Sequence, residues 1–294
     1  MISEEKKLLV QKYTSSLKPN FLRIYFEIFI GYLMLLLGII FSSKVYLYDN
    51  LVFGINAFIL ISLWIGIWVH FLGQFLHEAA HFNIAKNRNI NDLIANLLIG
   101  YWIGFSVKSF RVGHFAHHKY LGTKKDPENS YFNKLDLKFI YQSLFLIRVF
   151  KYFQSKLFIN KMDSKQLGSE FNIPIKTRDF IIALFVQFLI IFWIYKFSLY
   201  SAFSWGLGFY IFFPLISSIR QLLEHRHPDA DQSYEKYLIE DHGEFTRNFG
   251  DSIFSHVIGG AGFNKHFYHH LFPNISYTKL KKLEIFCQEN KVLK

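Results

Sequence analysis

Four apolar runs decide what this chain can fold into. Residues 24–41, 51–76, 180–197 and 202–223 are almost wholly apolar, and crossing the hydrocarbon core of a bilayer takes about 20 helical residues. Inside lipid every backbone N–H and C=O needs an internal partner, so such runs fold as α-helices. The expected fold class is therefore all-α: an integral membrane protein with four transmembrane helices. Its 51% hydrophobic content coexists with 19% charged residues, so the apolar side chains must be gathered in blocks. Nothing in the sequence breaks the chain into units, and 1–294 reads as a single domain.

Between these runs the polarity changes. Ser42, Ser43, Lys44, Asp49 and Asn50 make a short polar link, and a tight turn over 196–201 joins the last two runs. The stretch 93–107 is apolar but short of a span, so it is expected to re-enter the membrane or lie flat. Over 134–162 aromatic and aliphatic residues mix with Lys138, Arg148, Lys151 and Lys156, the pattern of interfacial amphipathic helices. Residues 227–264 are rich in Asp and Glu and read as a soluble cap, and 279–294 as a basic closing helix. Residues 1–20 lack the apolar core of a signal peptide, so neither cleavage nor export is expected.

Of the 33 Lys and Arg residues, all but Lys44 and Lys196 fall on one side of the four runs. Positive residues stay in the cytosol, which places both termini and the cap there, in a bacterial inner membrane or the endoplasmic reticulum. The sequon-like Asn274-Ile275-Ser276 would then be unglycosylated. The net charge of +11 could suit nucleic acid, but the basic residues flank apolar runs and form no compact stripe. No nucleic-acid partner is expected. Cys287 is the only cysteine, which excludes an intrachain disulfide and a thiolate metal cluster.

The chemistry lies in the histidines, of which there are 13. His266, His269 and His270 follow a His-x-x-His-His spacing, which on a helical turn aims three imidazoles at one point. His114, His117 and His118 repeat the spacing, and His77 and His81 share one helical face at an offset of four. Adding His225, at the end of the fourth run, gives nine candidate ligands. One ion cannot use nine imidazoles, but two ions could take four or five each and keep a position for oxygen or water. Imidazole suits zinc, copper, iron and nickel alike, so ligand type leaves the metal open. The clusters sit at the cytosolic ends of lipid-embedded helices, where a lipid-soluble chain can reach them, so the cap is expected to hold a di-metal site. His70 lies near the same face as His77 and is expected to pack or hydrogen-bond outside the ligand set.

Phe75-Leu76-His77-Glu78-Ala79-Ala80-His81, then Gly113-His114-Phe115-Ala116-His117-His118 with Asp126-Pro127, then His266-Phe267-Tyr268-His269-His270-Leu271-Phe272-Pro273 resemble the three histidine boxes of the membrane fatty acid desaturases. The resemblance covers about residues 70–280. It implies two non-haem irons held by the boxes 77–81, 114–118 and 266–270, with His225 matching the family's extra histidine at the end of the fourth helix. It also implies O2 as co-substrate and the insertion of a double bond into a fatty acyl or acyl-lipid chain. Gln221 falls where some members hold an amide that reaches iron through water, and Asn264 is a similar candidate beside the third box. Asp126 and Glu78 are expected to orient ligand imidazoles, with a solvated face as the plain alternative for Glu78. No His-Pro-Gly-Gly motif occurs, so a separate electron donor is implied, a ferredoxin or a cytochrome b5 with its reductase.

Three alternatives stay open, one of them a non-catalytic lipid-binding or transport protein that keeps the fold. A hydroxylase or a carotenoid ketolase would carry the same boxes. An intramembrane zinc protease would use His77 and His81 as ligands and Glu78 as base, leaving seven of the nine histidines without a role.

Overall fold

The computed structural model describes residues 4–45, 49–123, 125–128, 134–145, 147, 177–225 and 242–292. Helix α1 (Glu4–Ser16) precedes α2 (Phe21–Ser42) and α3 (Leu51–Ala80). Helices α4 (Arg88–Ile103) and α5 (Val107–Tyr120) form a pair bent by 84°, followed by α6 (Leu137–Leu144). Next come α7 (Thr177–Phe197) and α8 (Leu199–His225). The chain continues with α9 (His242–Phe245), α10 (Ile253–Gly259), α11 (His266–Leu271) and α12 (Tyr277–Glu289). Four of these helices, α2, α3, α7 and α8, are long and apolar enough to cross a membrane.

Their outward faces carry Leu22, Phe26 and Phe29 on α2, Leu51, Phe53 and Leu60 on α3, and Phe185, Phe188 and Trp193 on α7, all exposed. So much contiguous exposed apolar surface belongs against lipid. Asn20 and Asn50 start α2 and α3 by accepting from the N–H groups of Arg23 and Phe53, which satisfies one orphan donor at each helix start. The 30 residues of α3 reach about 45 Å at 1.5 Å per residue. The hydrocarbon is only about 30 Å thick, so one end of α3 stands clear of it. That end carries His77.

Small residues let the spans approach closely. A Cβ on Gly66 of α3 would lie 2.5 Å from Phe212 Cβ and 3.0 Å from Gly208 O, both in the π-helical turn Gly208–Phe212 of α8. Backbones that close leave no room for a side chain. Gly66→Val should cost about 1–3 kcal/mol through overpacking. A lowered Tm of the purified protein in detergent checks this, and an unchanged Tm would mean that α3 and α8 separate freely here.

Several expectations need correction. Helix α3 does not stop at Leu76 but continues through Ala80, with His81 as its C-cap. Helix α8 starts at Leu199 and runs through His225. Of the stretch 134–162, the described part holds α6, and 148–162 lie outside the described residues. The polar N-terminal segment forms α1, which docks on α12 with Tyr13 stacked on Phe286 at 3.8 Å. In the expected soluble cap, 227–241 lie outside the described residues, while α10 packs against the membrane span α3. The apolar face of Ile253-Phe254-Val257-Ile258 was outvoted in the sequence by the acidic residues before it. Residues 93–107 do form a bent element, turning at Gly104, whose φ of 111° only glycine adopts without strain. In α12, Tyr277, Leu280, Leu283 and Cys287 are buried on one face.

Candidate metal centre

Except for His114, mid-way along α5, the candidate histidines sit at helix ends. Box one closes α3, and the last carbonyls of that helix need partners. Arg111 of α5 supplies them, its Nε donating to Ala80 O at 2.8 Å and its Nη2 to Ala79 O at 3.0 Å. The same guanidinium pairs with Asp92 at 2.5 Å and lies 3.8 Å over the ring of Phe82. Asn91 adds an Nδ2 donor to Ala79 O at 2.9 Å. Helix α4 thus turns its polar residues inward, while Leu93 and Leu97 face out. Arg111→Ala breaks a mostly buried ion pair and uncaps α3, at about 3 kcal/mol. Arg111→Lys should not restore the lost Tm, since an ammonium cannot reproduce the guanidinium fork.

Nine imidazoles converge. His77, His81, His114, His118 and His269 offer one group of nitrogens, and His117, His225, His266 and His270 a second, with the atoms of each group within 4.8 Å of one another. Only His118 is less than fully buried. The spacing reading that aims one box at one point does not hold. His114 and His118 serve the first group and His117 the second, whereas His266 and His270 serve the second and His269 the first. Adjacent helical residues differ by about 100° in direction, so an i, i+4 pair stays together and the residue between turns away.

The contacts within each group are short. In the first, Nε2 atoms meet at 2.8 Å (His81 and His114), 3.0 Å (His114 and His118), 2.9 Å (His118 and His269) and 2.9 Å (His77 and His269). In the second, His266 Nε2 lies 2.9 Å from His225 Nε2 and 3.0 Å from His270 Nε2. An imidazole nitrogen has either one proton or one lone pair, and a run of such contacts cannot be satisfied by protons in good geometry. A cation satisfies it. Nitrogens about 2.1 Å from one ion and at right angles are about 3.0 Å apart, against about 3.4 Å in a tetrahedron. The observed contacts of 2.8–3.0 Å are close to those of nitrogens gathered around one ion.

A family model described as fatty acid desaturase matches residues 55–286, a span that takes in all nine imidazoles. The chain belongs to the fatty acid desaturase family. No curated protein matches the sequence. Membership makes it an integral membrane oxidoreductase of the desaturase and hydroxylase type, acting on lipid, with histidine clusters able to bind metal.

The protonation states fit ligands of this family. Burial, reinforced by the neighbouring imidazoles, holds His114, His118, His266, His269 and His270 well below the usual histidine value. His81 is pushed down to about 3 by burial and by the charge of Arg111. Neutral rings keep a lone pair for a metal. His117 differs: burial pulls it down, but Asp126 and Glu128 outweigh that and raise it to about 9. Its Nδ1 lies 2.9 Å from both Asp126 oxygens, and its buried Nε2 has no hydrogen-bond partner among the described residues. A metal at Nε2 would displace a proton and leave Nδ1–H donating to Asp126.

The remaining candidates are placed as follows. Gln221 Nε2 donates to Glu128 Oε2 at 2.8 Å, and Asn264 Nδ2 donates to Gly250 O at 3.3 Å. Glu78 is 1% exposed, so the solvated face is ruled out. Its Oε1 stops 3.9 Å from His77 Nδ1, while Oε2 accepts from Ser276 Oγ and Tyr277 N at the start of α12. A carboxylate spent on that helix start is a poor base for a zinc protease, and His77 and His81 share their group with three more imidazoles. Sequence reasoning missed four neighbours of the site: Phe263, stacked on His266 at 4.8 Å, with Arg220 over its ring at 4.1 Å; Glu224, paired with Arg220 at 2.6 Å; Glu128; and His242, whose ring lies 5.9 Å from that of His270. Only the Arg220–Glu224 offset of four was visible in the sequence.

Proposed function

We propose that this chain is an O2-dependent di-iron desaturase that introduces a double bond into a fatty acyl or acyl-lipid chain. The observation that carries the reading is the sorting of nine imidazoles, eight of them buried, into groups of five and four with contacts of 2.8–3.0 Å. The residues proposed to hold the two irons are His77, His81, His114, His118 and His269, and His117, His225, His266 and His270. When bound, a pair of irons supplies the power to remove two hydrogens from neighbouring carbons, using O2 and two external electrons. The chain's own contribution is to hold neutral ligands, to fix the His117 ring through Asp126, and to limit water with Phe263 and the burial of eight of the nine imidazoles.

The proposal extends to the setting. A separate donor, a ferredoxin or a cytochrome b5 with its reductase, would deliver electrons on the side where the boxes lie. The one-sided Lys and Arg distribution supports placing both termini and the active site in the cytosol, on one domain over 1–294. Hydroxylation or ketone formation on the same scaffold is the second reading, because the imidazole set serves either outcome.

Mass-spectrometric lipid profiling of a host expressing the chain, beside one expressing His269→Ala, tests the proposal. Products two hydrogens lighter, seen only with the parent chain, are expected. Products with one added oxygen would move the assignment to a hydroxylase or ketolase, and identical profiles would overturn it.

A further inference from the structure

Helix α10 is where the fold departs most from a water-facing cap. It bridges two spans: His256 Nε2 lies 3.5 Å from Glu27 Oε2 on α2, and Ile258 O is 2.9 Å from His70 Nε2 on α3. The His256 ring also meets Phe71 at 6.5 Å, and the position of a Cβ on Gly260 lies 2.7 Å from Gln74 Cγ. The level of this contact is fixed by the lipid-facing belt. On α2 the exposed apolar side chains begin at Leu22 and continue through Phe26 and Phe29, on either side of Glu27. On α3 the last exposed large apolar side chain is Trp64, and beyond it α10 covers the helix flank. Helix α10 therefore stands where lipid would otherwise lie against α3.

The outer side of α10 begins with Ile253 and Phe254, 84% and 74% exposed. Beside them is a charged knot, Asp251 paired with Lys281 at 2.6 Å and with Lys265 at 2.8 Å. Two large apolar side chains next to fixed charges, at the level where the belt of α2 starts, form the profile of an interfacial anchor.

We infer that the first turn of α10 is inserted into the lipid leaflet on the side of the histidine boxes, with Ile253 and Phe254 among the upper acyl carbons and the Asp251–Lys281–Lys265 charges at headgroup depth. The anchor is tied closely to the metal centre. Gly260, Ala261 and Gly262 have φ of 50°, 33° and 77°, a tight run that leads through Phe263 to His266. The depth of α10 thereby sets the height of the third box above the bilayer.

Nitroxide labels on Ile253→Cys and Phe254→Cys in the full chain, reconstituted in phosphatidylcholine and phosphatidylglycerol vesicles, test this by power-saturation spectroscopy. Leu60→Cys, 64% exposed in the middle of α3, serves as the lipid reference and the exposed Glu244→Cys as the water reference. Buried Cys287 makes the parent chain the labelling blank. Both α10 labels should be relaxed several-fold more by oxygen than by a water-soluble nickel chelate, as at position 60. Relaxation by nickel matching position 244 would overturn the inference. Shielding from both relaxants, as a second protein chain on this face would give, would overturn it equally.

Discussion

His269→Ala should abolish lipid oxidation and strip metal from the five-imidazole group. His269 is the one ligand candidate that α11 sends to that group, and its Nε2 touches those of His77 and His118 at 2.9 Å each. Losing a partner outside the ligand set already costs about 10–100-fold in metal affinity, so losing a ligand should exceed roughly 100-fold. Metal per chain by elemental analysis should fall, while the four-imidazole group keeps its own ion. His70→Ala is the informative companion, because His70 is also fully buried but is held by Ser217 Oγ and Ile258 O at 2.9 Å. That variant should lower Tm and leave the metal content of the surviving folded protein unchanged. If His269→Ala retained parental metal and product, the grouping of the imidazoles would have nothing to do with metal.

The contrast between His269 and His70 shows what could be read from the residues alone. A four-residue offset is local, so the pairing of His77 with His81, of His114 with His118 and of His266 with His270 follows from the pitch of a helix. The spans were equally legible, because lipid permits few alternatives to a long apolar helix. Helix pitch also turns His117 and His269 away from the pairs of their own boxes, but which group each then joins depends on how α5 and α11 are tilted against α3 and α8, which no local pattern encodes. Arg111 finds Asp92 across 19 positions, and Glu78 finds Tyr277 across 199. Such pairs become visible only when the helices dock. The membrane-side placement of α10 was hidden for the opposite reason: two of its outward residues are apolar, but the acidic stretch before them set the average.

Asp126→Asn should weaken the four-imidazole group about 10–100-fold without removing a ligand. Both oxygens of Asp126 lie 2.9 Å from His117 Nδ1, and Oδ1 also accepts from Glu128 N at 2.7 Å, so the loop after α5 and the ring are fixed together. An amide can keep one acceptor but loses the charge that makes the ring a strong donor to a metal. The midpoint of a chelator titration of the loaded protein reports the loss directly, and a midpoint equal to the parent's would show that Asp126 serves only the loop. A second readout comes from the metal-free chain. There burial lowers His117 but Asp126 and Glu128 more than compensate, raising it to about 9, above its unfolded value of about 6.5. A raised folded value means that the proton's contribution to stability is complete below about pH 6.5 and is lost as the pH rises through about 9. The metal-free parent should therefore lose Tm across that window, and Asp126→Asn should flatten the slope. A merely structural Asp126 would leave the slope in place, because packing does not titrate.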